Sequence, residues 1–358
     1  MKKVVTAIIG NGNISPIYLK NLTTVFNDRV EVKGVCDLIP ERSQKASGDW
    51  NVPVIYDTMY DVFKDSEIEI VLNLTRPGEH YGVAVEALKY GKNTHSEKPM
   101  SITRENAKEL FDTAKEKGLL IGVAPDTFLG AGIQTCREIL DSGEIGEPIG
   151  ATAYMLCHGH ESWHPDPEFY YEYGGGPMLD MGPYYVTALV NLLGPVDQLC
   201  GVTKKSFPTR TITSEKKYGK VIDVEVDTHV NGIMEFKNGA VGTITTSFDV
   251  WGSDHPCIEI YGTKGSMQVP DPNGFGGPVR IQKGKEPFVE VSVTKPYAEN
   301  SRGIAVWDMA SALREGTPLR ASGSLGFHVL DIMLGFGESS AAGAHYKLVT
   351  TCERPAAL

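Results

Sequence analysis

A six-residue apolar run, Val4-Val5-Thr6-Ala7-Ile8-Ile9, passes straight into Gly10-Asn11-Gly12-Asn13-Ile14-Ser15 and then into a helix-like stretch from Ile14 to Phe26. Two glycines set between a strand and a helix restrict the chain to a tight strand-to-helix turn. The first glycine allows the turn, and the second removes the side chain that would hold a diphosphate off the backbone. The unpaired amides opening the helix are then free to donate to an anion. Pro16 is tolerated only in a first turn and so marks the helix start, while Ser15 stands where a third glycine often falls. The next strand-like run, Val30 to Cys36, ends on Asp37, which lies 25 positions beyond Gly12. A carboxylate there holds both hydroxyls of an adenosine ribose. The unit predicts dinucleotide binding through Gly10, Asn11, Gly12, Asn13, Ile14 and Asp37. Asp37 repels a 2′-phosphate, and Leu38 and Ile39 bring no cation to receive one, so NAD is expected; Arg42 is the nearest cation that would favour NADP.

Short apolar runs go on alternating with amphipathic stretches. Ile68 to Leu72, Asn93 to His95 and Leu119 to Val123 read as strands, and Pro40 to Ser47, Glu79 to Tyr90 and Arg104 to Lys117 as helices. A βαβα order demands a parallel sheet covered on both faces, a doubly wound α/β domain placed at residues 1–124. Beyond Val123 the character changes. After one helix (Phe128 to Leu140), strand-like runs joined by Gly/Pro turns dominate: Ile149 to Cys157, Val230 to Phe236, Ala240 to Phe248, Ile258 to Tyr261 and Phe288 to Val293. Residues 125–358 are expected to form an α+β domain whose mostly antiparallel sheet carries Met178 to Leu193 and Ile304 to Leu313 as helices on one face.

Composition narrows the function. Lys+Arg 34 against Asp+Glu 45 gives a net charge of −11, which disfavours nucleic acid as a partner. Six scattered cysteines with no Cys-x-x-Cys pair indicate neither zinc nor a disulfide framework, and a reducing cytoplasm is expected. No apolar run approaches the 18 or so residues of a membrane span, and the first strand is too short for a signal segment.

In an open α/β sheet, ligands bind outside the carboxyl ends of the strands. Glu97-Lys98-Pro99 closes the fifth strand at that edge, with the proline keeping Lys98 extended. Asn73-Leu74-Thr75-Arg76-Pro77 and Pro125-Asp126-Thr127 share the edge. Asn73, Thr75, Arg76, His80, Glu97 and Lys98 are the expected cofactor contacts there, and Asp126 a substrate contact. In the second domain a Gly174-Gly175-Gly176 loop leads to Asp180 and Tyr184, spaced i, i+4 so that carboxylate and phenol share a helix face. His158-Gly159-His160-Glu161-Ser162-Trp163-His164 gathers three imidazoles and a carboxylate. A cleft wall fits better than a metal site, with Trp163 stacking on a sugar face and His160, Glu161 or His164 bonding hydroxyls, the other reading being a structural loop that satisfies its own polar groups; Asp249, Trp251 and His255 are further candidates for the wall. No metal is expected.

Gly10-x-Gly12, Asp37, Thr75-Arg76-Pro77 to His80, Gly91-Lys92 leading to Glu97-Lys98-Pro99, the Gly174 to Tyr184 segment and Cys352-Glu353-Arg354-Pro355 together resemble the Gfo/Idh/MocA oxidoreductases over nearly the whole chain. The resemblance implies a Rossmann domain, a C-terminal domain with a large open sheet, a substrate cleft facing the nicotinamide, and a homodimer or homotetramer. It also implies that Lys98 touches nicotinamide ribose and substrate hydroxyl, that Asp180 binds substrate and that Tyr184 is the acid/base, at a position where most members carry histidine. The expected activity is NAD(P)-dependent hydride transfer from a secondary hydroxyl of a sugar, cyclitol or glycoside, with Lys98, Asp180 and Tyr184 catalytic and Asp126, His160, Trp163, His164, Asp180 and Tyr184 holding substrate. Two alternatives stand beside it: redox-neutral glycoside cleavage by transient oxidation, and a sugar- or nucleotide-sensing regulator without turnover.

Overall fold

A computed structural model describes residues 2–358, which form two compact units. One contains the chain up to Leu129 and takes back Glu299–Phe327; the other contains Gly130–Ala298 and His328–Leu358. The crossing after Leu129 lies near the boundary expected at 124/125. The return of Glu299–Phe327 was not expected, so the first unit is discontinuous in sequence.

The first unit is built on β1 (Val4–Ile9), α1 (Ser15–Thr24), β2 (Val30–Cys36), α2 (Pro40–Trp50), β3 (Val54–Ile55), α3 (Met59–Lys64), β4 (Ile70–Asn73), α4 (His80–Lys89), β5 (Asn93–Ser96), α5 (Arg104–Lys117) and β6 (Ile121–Val123). Its strands lie in the order β3-β2-β1-β4-β5-β6, every pair parallel. The order reverses between β2 and β4 on either side of β1, the switch point where doubly wound sheets bind ligands. Burial on both faces explains the unbroken apolar strands: all of β4 is buried, as is β1 except Val5. Ala7, Ile9, Cys36, Val71 and Ala87 belong to one continuous core. α5 matches its expected limits because local chemistry sets both ends, the Thr103 hydroxyl accepting from Asn106 N–H (3.3 Å) and Gly118 adopting φ +64°. β3 and α3 were not anticipated; a two-residue strand has no period to read, although α3 opens on a Thr58/Asp61 capping box.

The second unit begins with α6 (Ala131–Asp141) and continues through β7 (Pro148–Leu156), α7 (Gly176–Asp180), α8 (Gly182–Leu193), β8 (Val196–Lys204), β9 (Thr209–Thr211), β10 (Val221–Asp223), β11 (His229–Phe236), β12 (Val241–Ser247), β13 (Ile258–Gly262), β14 (Gly265–Val269), β15 (Val279–Lys283) and β16 (Val289–Val291). After α9 (Ile304–Glu315), which belongs to the first unit, come α10 (Gly323–Ala342) and β17 (Tyr346–Lys347). The large sheet runs β16-β15-β14-β13-β7-β12-β11-β8-β17, antiparallel except for the parallel β7/β12 pair, and β9/β10 form a separate hairpin. The α/β class with a mostly antiparallel second sheet is as expected. α10 was not, because Gly323, Gly326, Gly335 and Gly337 read as breakers. Three of them are close-approach positions: an added Cβ would lie 2.9 Å from Ile121 at Gly323, 2.8 Å from Val123 at Gly326 and 2.7 Å from Tyr346 at Gly335. Among the described residues no helix is long and apolar enough to cross a membrane.

Candidate active site

The turn after β1 has the form its glycines predict. Gly10 sits at φ +94°, and a Cβ there would lie 2.7 Å from the Leu74 carbonyl carbon. Its N–H donates to Cys36 O (2.9 Å), and Asn11 Nδ2 donates to the same carbonyl (3.0 Å), tying the turn to the end of β2. Asp37 completes the tie. One carboxylate oxygen accepts from Asn11 N–H (2.6 Å), the other from Ile39 N–H (2.8 Å), and Arg42 stands 3.9 Å away. Each carboxylate oxygen keeps a further lone pair for a ribose hydroxyl. Three observations fit a dinucleotide here. A Cβ on Gly12 would meet nothing within 4 Å, α1 opens without a side-chain cap, and Asn11 Oδ1 is buried with no partner among the described residues. Asn13 is exposed and Ile14 half-buried on the same turn.

At the carboxyl ends of β4 and β5 the structure separates residues that the sequence grouped together. Asn73, expected to touch cofactor, is fully buried: its Oδ1 accepts from Thr75 Oγ1 (2.7 Å) and its Nδ2 donates to His80 O (3.0 Å). His80 is also buried, with Nδ1 2.8 Å from Pro99 O and Nε2 3.1 Å from Thr75 O, so it joins the loop after β4 to the loop after β5. Its burial lowers its proton affinity. Glu97 is buried as well, accepting from Tyr18 O–H (2.6 Å) and from Lys98 N–H (3.0 Å). These three therefore shape the loops by binding backbone and neighbouring side chains. Arg76 is exposed, and Thr75 and Lys98 are only partly buried. Asp126, expected at substrate, is 1% exposed and accepts from Gly303 N–H (2.7 Å) just before α9. Burial raises its pKa to about 6, against the opposing pull of Arg302. Tyr18, which sequence reasoning missed, is fully buried on α1.

In the second unit Asp180 and Tyr184 are not on one helix. α7 ends at Asp180 and α8 begins at Gly182, with Met181 as the shared cap. Pro183 explains the break, since its ring lacks an N–H and clashes with the carbonyl four residues back. Tyr184 is buried on the first turn of α8, its N–H donating to Met181 O (3.1 Å). Asp180 meets His160: Nε2 lies 3.1 Å from Asp180 Oδ2, with both side chains mostly buried. Trp163 is 61% exposed and packs edge-on against both His160 and His164. His164 Nδ1 accepts from Asp166 N–H (3.1 Å) and so turns its own loop.

Arg210 on β9, which no spacing in the sequence singles out, organises this region. Its buried guanidinium pairs with Glu161 (3.0 Å) and Asp249 (2.6 Å) and reaches His158 Nε2 (3.3 Å). Glu161 also accepts from Tyr171 O–H. Trp251, 85% exposed, stacks on His158 with ring centroids 3.4 Å apart, while His255 stacks on Tyr154. Among the described residues no three His, Cys, Asp or Glu side chains gather in a way that would hold a metal ion.

A parallel 3-2-1-4-5-6 sheet, a glycine turn at its switch point and an acidic residue just after β2 define a dinucleotide-binding Rossmann domain. Comparison with known families agrees. Residues 4–124 match the oxidoreductase family with an NAD-binding Rossmann fold, and residues 133–268 match the GFO/IDH/MocA C-terminal domain. The chain belongs to the GFO/IDH/MocA family. A myo-inositol 2-dehydrogenase of Thermotoga maritima is 24% identical over 261 residues, 73% of each chain. An uncharacterized oxidoreductase of Schizosaccharomyces pombe is 26% identical over 200 residues, 54% of this chain and 53% of its own. The matched stretch thus spans about half the length of the yeast relative. A levoglucosan dehydrogenase crystallised with NADH shares the fold, with a TM-score of 0.83 at 20% identity, covering 98% of this chain and 100% of its own.

Proposed function

We propose that this protein is an NAD-dependent dehydrogenase that removes hydride from a secondary hydroxyl of a polyhydroxylated ring, a sugar or cyclitol. The observation that carries the reading is the placement of Lys98. Buried Glu97, fastened by Tyr18, accepts the Lys98 N–H and so fixes the backbone of a lysine at the nucleotide-binding edge of the sheet. An ammonium held there stabilises the negative charge that develops on a hydroxyl oxygen as its proton leaves. Bound NAD supplies the hydride acceptor. Asp37 holds the adenosine ribose, and the open backbone at Gly12 receives the diphosphate. In the second unit Asp180, His160 and exposed Trp163 give carboxylate, imidazole and an aromatic face, the set that recognises a ring bearing several hydroxyls. The relatives named for inositol and levoglucosan support a ring polyol as substrate.

The test is to mix purified protein with NAD or NADP and a panel of cyclitols, sugars and glycosides, following reduced nicotinamide and analysing products. Net NADH with one substrate class is expected. Glycosidic cleavage without net NADH would replace the reading with redox-neutral chemistry, and tight NADH binding with neither signal would replace it with a sensor. Lys98→Ala is expected to reduce kcat by at least a hundredfold while NADH affinity stays within a few-fold.

A further inference from the structure

A carbonyl oxygen only accepts, so a histidine ring that meets two carbonyls bonds both only when each ring nitrogen carries a proton. His80 is such a ring. Its Nδ1 lies 2.8 Å from Pro99 O and its Nε2 3.1 Å from Thr75 O. Pro99 directly follows Lys98 on the loop after β5, and Thr75 precedes Arg76 on the loop after β4. Both loops leave the carboxyl edge of the Rossmann sheet, where doubly wound domains bind ligands, and every residue of the contact belongs to the first unit.

The parts around the ring are themselves fastened. His80 is 1% exposed at the first residue of α4, and its own carbonyl accepts from Asn73 Nδ2 (3.0 Å). Asn73 Oδ1 accepts from the Thr75 N–H (3.3 Å) and hydroxyl (2.7 Å). Glu97 takes the Lys98 N–H (3.0 Å) with one carboxylate oxygen and the Tyr18 hydroxyl (2.6 Å) with the other. Burial opposes a second proton on the ring and keeps its proton affinity below that of an ordinary imidazole. Of the charges acting on it, Glu97 favours the proton and Lys98 opposes it; Arg76 and Glu79, near it in the chain, are exposed. A neutral ring has one N–H, and the shorter contact gives it to Nδ1 and Pro99. Nε2 then turns a lone pair toward the Thr75 carbonyl, and the bridge between the loops opens at that end.

We infer that His80 is a positioning residue that latches the Thr75-Arg76 loop to the Lys98 loop when both its ring nitrogens are protonated, and that NAD binds the latched form more tightly. Both carbonyls stand within hydrogen-bond distance of the ring, which is the geometry of the latched form. The diphosphate of a dinucleotide brings negative charge to the same edge of the sheet, which favours the charged ring. Reciprocity then requires bound NAD to raise the proton affinity of His80 by the same factor through which that proton tightens NAD. The inference rests on NAD binding in the reading above and not on hydride transfer.

The test follows exchange of the imidazole C2 hydrogen for deuterium by mass spectrometry, which reads the protonation of each histidine from the pH dependence of its exchange. It is run between pH 5 and 8.5 with and without saturating NAD. NAD is expected to raise the proton affinity of His80 at least about fivefold, the lower end of ordinary coupling between sites. NAD affinity, measured by calorimetry, is expected to fall between pH 5 and 8 at least about twofold more in the unmodified protein than in His80→Gln, which keeps one donor and takes no second proton. Asp126, its pKa raised to about 6, titrates in both proteins and cancels. A His80 proton affinity that NAD leaves unchanged or lowers overturns the inference, and so does an equally steep fall of NAD affinity in His80→Gln. Should His80→Gln fail to fold, the exchange measurement on the unmodified protein decides alone. Absence of hydride transfer with every polyol would overturn the dehydrogenase reading alone, because both measurements read binding.

Discussion

His95 offers a measurable link between the acid stability of the first unit and the strand that carries Lys98. It lies in the middle of β5, paired with Leu72 on β4 and Gly122 on β6. The missing side chain of Gly122 makes room for the ring, and neither ring nitrogen has a partner among the described residues. Burial pushes the imidazole pKa down from an ordinary 6.5 to about 4, with Glu97 opposing only weakly. Below pH 6.5 the unfolded chain therefore takes up a proton that the folded form refuses. The stability is full above 6.5 and is lost as pH falls toward 4. A drop of about 2.5 pKa units corresponds to about 3.4 kcal/mol in all, of which about 2 kcal/mol is lost by pH 5. His95→Leu removes this titration together with two unpartnered buried nitrogens. Urea unfolding at pH 8 and pH 5, read through the fluorescence of Trp50 and Trp307 in the first unit, is expected to show the unmodified protein losing about 2 kcal/mol more than the variant. His80 and His328, whose proton affinities burial also lowers, titrate in both proteins and cancel. An equal loss in the two would refute the reasoning, because it would mean that His95 accepts a proton without cost inside the folded sheet.

Two further outcomes test the two units separately. Arg210→Leu leaves the Glu161 and Asp249 carboxylates buried without their cation, a loss of about 3–5 kcal/mol by urea unfolding; a change below 1 kcal/mol would show that the three charges do not act as one unit. Asp37→Ala removes the acceptor for Asn11 and for the ribose hydroxyls, and about 1.5–3 kcal/mol per charge-assisted bond predicts NAD affinity reduced by roughly 10–150-fold by calorimetry, with NADP affected less. An unchanged NAD affinity would remove Asp37 from the cofactor site.

Features written in adjacent residues were legible before the structure. The glycine turn, Asp37 at the end of β2 and both ends of α5 depend on backbone sterics and on hydrogen bonds spanning a few residues. Features that join distant segments were not. Arg210 meets Glu161 across 49 positions and Asp249 across 39, and nothing in the spacing announces either pairing. The return of Glu299–Phe327 to the first unit and the glycine-rich α10 depend on close packing between elements, where glycine makes room instead of breaking a helix. The His160–Asp180 contact was hidden for the same reason: the two were visible as separate candidates, and only the fold made them a pair.

The buried polar residues at the carboxyl edge of the Rossmann sheet share one role. Loops leaving strand ends expose amides and carbonyls that the neighbouring strands no longer satisfy, and these must find partners. The polar side chains nearest the strand ends meet that need: Asn73 binds Thr75 and His80, His80 binds the carbonyls of Thr75 and Pro99, Glu97 takes the Lys98 amide, and Asp126 takes the Gly303 amide. The next residues out, Thr75 after Asn73 and Lys98 after Glu97, are less buried. In sequence both kinds look alike, as polar residues at the end of an apolar run. What separates them is burial: at a strand end the first polar residue is buried and holds the loop, and the one beside it is less buried.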